Sequence, residues 1–197
     1  MGLLWKWSIV DGQKKLMHKF NMVNENLNNS DRVVIITTGG TIEKTYDEGD
    51  GSLQNRESIV KNKIQNKLRL PYTSMEVYSV MSKDSLHMDD DDRDLLMLSI
   101  KSQLSKEIPI VILHGTDTME VSAKYCFEKI RATNVPIIFT GAMKPLGFED
   151  SDAMQNITES MLAAKILRPG FYIVFHNRVF IVPNVRKNRQ LRTFEAI

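Results

Sequence analysis

Three short segments gather the residue types that nucleophilic and proton-transfer chemistry needs. In TGGT at 38–41, Gly39 and Gly40 allow backbone angles closed to other residues and a close approach to a ligand, and Thr41 follows as a displayed hydroxyl. In HGTDT at 114–118 an imidazole, two hydroxyls and a carboxylate crowd together. A carboxylate held away from water is costly without a cation or several donors, so Asp117 calls for a cationic side chain or a substrate ammonium. The third segment is the cluster Arg186, Lys187, Arg189 and Arg192. Singly, each segment has a plainer reading: GGT as a tight turn, Asp117 or Thr118 as a helix N-cap, and each cation as part of a solvated face. Taken together they describe a threonine nucleophile that needs a base or a donor network, with a carboxylate and an ammonium group to supply one.

Other chemistries find less support. The glycine spacing of phosphate-binding loops is absent. His18, His87, His114 and His176 lack zinc-ligand spacing, so no zinc site is expected, and His114 reads as a strand-end residue packed beneath the active loop. The acidic run at 89–92 reads as a helix start that complements the N-terminal dipole. The single cysteine, Cys126, forms no internal disulfide and reads as a buried helical thiol in a reducing, cytoplasmic setting. A net charge of +2 on 197 residues gives no field that argues for nucleic acid or an anionic membrane. The opening MGLLWKW has neither the length of a spanning segment nor a myristoylation pattern.

The elements that must position these groups follow from the hydrophobic pattern. Apolar, β-branched runs at 33–37, 77–81, 109–113, 136–140 and 171–175 read as strands buried on both faces. Helical periodicity fills the intervals at 58–68, 90–105, 118–132 and 154–167. This alternation predicts an α/β fold, a doubly wound and mostly parallel sheet of the Rossmann or flavodoxin type with helices on both faces. Ligands in such folds bind beyond the carboxyl ends of the strands, where both TGGT and HGTDT fall. Residues 1–31 are polar and Asn-rich toward their end and read as an extension that is flexible or loosely docked; 32–197 form the domain.

In order and spacing, TTGGTIEKTYDEGDG, SKDSLHM, ILHGTDTMEVSAKY, IIFTGAMKP and VRK resemble the amino-terminal domain of the bacterial-type L-asparaginases over about 32–197. The resemblance implies hydrolysis of asparagine, in some members also glutamine, to the acid and ammonia without a cofactor. It assigns Thr41 as the nucleophile that forms an acyl-enzyme, Thr116, Asp117 and Lys187 as the second catalytic group, and Tyr46 as the tyrosine that closes over the substrate. Ser85 aligns with the serine that holds the substrate carboxylate, and Gly40, Asp84, Gly115 and Ala142 complete the expected substrate-binding set. Backbone N–H groups of residues 40–42 and 116–117 are the expected oxyanion donors. The family's second, smaller domain, which lends an acidic residue to a neighbouring site, has no counterpart before the chain ends at Ile197. The substrate ammonium then turns to Asp117, with Glu43 and Asp84 behind it. A homodimer or homotetramer acting on a small molecule is the implied assembly. The same residues also suit an amino-acid-binding module without turnover, or a piece or subunit of a larger amidase.

Overall fold

The computed structural model describes residues 32–46, 53–55, 62, 64 and 66–197; the expected extension at 1–31 lies outside the described residues. So does most of the expected helix at 58–68, of which 62, 64, 66 and 67 are helical. Ten strands are described: β1 (Arg32–Thr37), β2 (Lys44–Tyr46), β3 (Leu53–Asn55), β4 (Ser74–Ser79), β5 (Ile110–Leu113), β6 (Pro136–Thr140), β7 (Gly170–Phe175), β8 (Arg178–Ile181), β9 (Val185–Asn188) and β10 (Thr193–Ala196). Three helices accompany them: α1 (Asp90–Leu104), α2 (Met119–Lys129) and α3 (Ala153–Ile166).

The main sheet has the order β4-β1-β5-β6-β7-β8. Its first five strands are parallel, and β8 returns antiparallel to β7. Both faces of the central strands are covered, which is why Val33, Val34, Ile35 and Ile36 can follow one another without a polar interruption. Alternate side chains go to opposite sides. Val34, Ile36, Ile110, Ile112, Ile137 and Phe139 pack against Leu96 and Ile100 of α1 and Ala123 and Cys126 of α2. Val33, Ile35, Val111, Leu113 and Ile138 pack against Ile157 and Met161 of α3. Cys126 is fully buried and burial pushes its thiol up to about 12, which leaves it inert at neutral pH. No described helix is long and apolar enough to cross a membrane.

The strand expected at 77–81 lies instead at Ser74–Ser79. This edge strand is half-exposed and carries polar residues such as Glu76, which binds Lys106 at 2.7 Å and also Arg32, so its apolar run marks only part of it. The acidic run opens α1 as a capping box, with Asp89 and Asp92 each accepting the other's backbone N–H at 3.0 Å. From β1 the chain goes out to β4 and returns as β5 on the other flank. The switch point of the sheet therefore lies between the carboxyl ends of β1 and β5, and the loops that leave there begin with Thr38 and His114.

Candidate active site

Backbone contact between glycines knits these loops together. Gly39 and Gly40 have φ of 90° and 82°, a region that side chains rarely enter. A Cβ on Gly40 would lie 2.5 Å from the Gly115 Cα, and one on Gly39 would lie 2.5 Å from the Lys83 backbone nitrogen. A Cβ on Gly115 would lie 2.4 Å from the Ser85 Oγ. The first loop thus rests on the second and third, and Thr41 and Thr116 are each the residue after a touching glycine. Thr41 is half-buried and begins a 3-10 turn, Thr41–Glu43, which displays it at the sheet's mouth.

Lys187 reaches this point from β9. Its Nζ donates to Thr116 Oγ1 at 2.8 Å and to Asp117 Oδ1 at 2.9 Å, with only 11% of the lysine side chain exposed. The structure therefore brings Thr116, Asp117 and Lys187 together. The Thr116 hydroxyl accepts from the ammonium and directs its own proton toward Met143 Sδ at 3.7 Å, a weak acceptor. That contact is weak, so the hydroxyl is free to turn toward another acceptor.

The other expected residues are placed as follows. Ser85 is 1% exposed and its Oγ has no partner among the described residues, an orphaned hydroxyl packed against the loop that presents Thr116. Asp84 caps the 3-10 turn Ser85–His87 by accepting from Leu86 N at 3.1 Å, and it is also bound by Lys44 Nζ at 2.8 Å. Ala142 is 1% exposed and belongs to the core beneath α3, so only its backbone is left to face a ligand. Tyr46 is the last residue of β2 and pairs with Leu53; its side chain lies outside those described.

Two buried titratable groups lie beneath the loops. Glu43 is 6% exposed; burial pushes its carboxyl up to about 7, against hydrogen bonds from the Thr37 hydroxyl and Gly39 N–H that pull it down. His114 is fully buried, which lowers its pKa to about 4 and keeps the ring neutral, and its Nδ1 lies 2.7 Å from the Gly115 carbonyl oxygen. Glu120, at the start of α2, is raised by burial, and Lys187 and Arg189 nearby pull it the other way. Arg189 itself reaches Asp117 Oδ1 at 3.3 Å.

Sequence reasoning missed the polar hub that holds the remaining loop. The Asp152 carboxylate accepts from Met143 N and Lys144 N at 3.0 Å each, from Asn156 Nδ2 at 3.0 Å, and meets His176 Nε2 at 3.0 Å. Asn156 also donates to the Gly141 carbonyl at 2.9 Å and accepts from His176 N at 3.0 Å. His176 Nδ1 lies 3.1 Å from Thr193 Oγ1 on β10, the partner strand of β9. One signal was present in the sequence: Asn156 occupies a core-facing position of an apolar helix, where a polar side chain requires partners.

Four likenesses to known proteins bear on this geometry. A family model described as "Asparaginase, N-terminal" matches residues 32–197. L-asparaginase from Thermococcus kodakarensis is 25% identical over 84% of this chain and 51% of its own length. A glutamyl-tRNA(Gln) amidotransferase component from Methanobrevibacter smithii is 31% identical over 68% of this chain and 30% of its own. The solved Thermococcus kodakarensis enzyme superposes with a TM-score of 0.78 at 24% identity, again over 84% of this chain and 51% of that one, and shows the same fold. The chain spans about half, or less, of the length of these relatives.

Proposed function

Because the chain belongs to the asparaginase family, we propose that it is an amidohydrolase that converts asparagine to aspartate and ammonia through a threonyl ester. One observation carries the reading. A single buried ammonium, that of Lys187, is bonded at once to the Thr116 hydroxyl and the Asp117 carboxylate, in a loop whose glycine touches the one presenting Thr41.

The chemistry then runs as follows. The Thr41 oxygen attacks the side-chain amide carbon, and its proton passes to Thr116, which hands one on to Lys187 as the ammonium gives one to the Asp117 carboxylate. Backbone N–H groups of residues 40–42 and 116–117 hold the oxyanion of the tetrahedral intermediate. As the intermediate collapses, the C–N bond breaks and the nitrogen leaves as ammonia with the relayed proton. Water attacks the ester and gives a proton to the same relay ending at Asp117, which returns it to the Thr41 oxygen as the ester C–O bond breaks and aspartate leaves. Ser85 is the proposed donor to the substrate carboxylate, and Tyr46 closes over the nucleophile. Gly40, Gly115 and the Ala142 backbone shape the pocket; Asp84, held by Lys44, braces it.

A homodimer or homotetramer in the cytoplasm belongs to the same reading. Exposed Leu95 and Leu98 on α1 and Val121 and Phe127 on α2 support assembly, and the lone buried thiol fits a reducing setting.

The test is ammonia release from asparagine and glutamine by purified protein, beside a Thr41→Ala variant whose circular dichroism is unchanged. We expect release that the variant lacks. Undiminished turnover in Thr41→Ala would remove the mechanism.

A further inference from the structure

The acidic side chains that the described residues bring to this site are all engaged by the chain's own groups. Asp84 is held by Lys44 and by Leu86 N–H. Glu43 is buried under the first loop with Thr37 and Gly39 as donors. Glu120 accepts from its own backbone N–H and from that of Lys187, although its Oε2 has no partner among the described residues. Asp117 remains, and its Oδ1 accepts from two cations, Lys187 at 2.9 Å and Arg189 at 3.3 Å.

These two cations differ in kind. Lys187 is 11% exposed and also holds Thr116, so it belongs to the reaction machinery; Arg189 is 71% exposed and among the described contacts touches only Asp117. An α-ammonium group seeking Asp117 meets a second positive charge already on that carboxylate and must displace it or share the oxygen with it. An ω-amide with the same carboxylate but no ammonium meets no such competitor.

We infer that Arg189 is a specificity-determining residue, which weakens the binding of α-amino ω-amides at Asp117 relative to ω-amides of simple dicarboxylic acids such as succinamate. The inference rests on the amidohydrolase reading of the site, and its test is arranged so that the two can fail separately. Ammonia release is measured with asparagine and with succinamate, its des-amino counterpart, for the unaltered protein, Arg189→Ala and Arg189→Glu. The KM ratio of asparagine to succinamate should fall on the order of threefold in Arg189→Ala, the scale of an exposed ion pair. It should fall further in Arg189→Glu, and both shifts should shrink in 1 M salt because the groups are open to solvent.

Calorimetric Kd values for both amides on Thr41→Ala protein, with and without the Arg189 replacements, give the same ratio when turnover is absent. A protein that releases no ammonia but shows the graded Kd ratio overturns the amidase reading and keeps the role of Arg189. A ratio that stays constant or rises in both variants, or equal changes for both amides, overturns that role. So does failure of both amides to bind.

Discussion

At the residue scale, Ser85 shows how a site is marked by what it leaves unsatisfied. A buried hydroxyl without a partner lowers stability, since it has lost water and gained nothing in exchange. Its Oγ is in that condition, against Gly115 and below Thr116. Ser85→Ala should therefore leave the thermal midpoint unchanged or raise it slightly, while KM for asparagine rises about tenfold with the loss of one hydrogen bond to a charged group. A fall of the midpoint by several degrees would mean that Ser85 is structural. That Asp117 needs a cation was legible in its residue type, but the choice of Lys187 among four neighbouring cations came from the family resemblance; the structure pairs the two at 2.9 Å. Arg189 and Glu120 were not legible, because their significance lies in distance. Nothing in the spacing of Arg189 says that it shares an oxygen atom with Lys187.

At the element scale, the buried central strands announced themselves as apolar runs, and β1, β5, β6 and β7 lie within a residue of where the pattern puts them. The short strands β8, β9 and β10 do not stand out as separate elements because each spans four positions and buries a single residue, which is too little for a period to show. Yet β9 carries Lys187, and its position depends on a polar hub that no periodicity reveals. Asp152 stands at the N-cap position of α3 but makes no side-chain cap bond there; its carboxylate turns back to the Met143 and Lys144 N–H groups, while His176 ties the same carboxylate to Thr193 on β10. Asp152→Asn keeps the shape but replaces an acceptor of several hydrogen bonds with a group that can accept fewer, and some of the N–H donors lose their partner. The expected cost is about 1 to 3 kcal/mol in urea unfolding. A fall in kcat should accompany it, because the β6 loop and the Lys187 ribbon lose a common anchor. Unfolding that is weakened with kcat intact would separate the hub from the site.

At the scale of the whole molecule, the same switch point that makes the site also buries two titratable groups of opposite tendency. Glu43 is raised to about 7, so its protonated form is favoured by the fold; its contribution to stability is complete below the ordinary carboxyl range and lost as pH rises toward 7. His114 is lowered to about 4, so its neutral form is favoured; its contribution is complete above the ordinary imidazole value and lost as pH falls toward 4. Each shift corresponds to about 3 kcal/mol. Between about pH 4.5 and 6.5 the two slopes oppose each other, and the profile of the unaltered protein should lie between those of the two single variants. Removing one group exposes the other. Glu43→Gln should gain stability as pH rises through this interval, and His114→Gln should lose it. Urea midpoints taken at pH 5, 6 and 7 on the three proteins measure the slopes, and parallel profiles for all three would exclude the pairing. Lowering of Asp84 and Asp89 by their partners acts below this window, and the raised Glu120 adds a falling slope common to all three proteins, so the differences between them still report Glu43 and His114. The opposition is a property of the fold as a whole, because it arises only where the carboxyl ends of β1 and β5 are adjacent and the loops that leave them are packed too tightly for water.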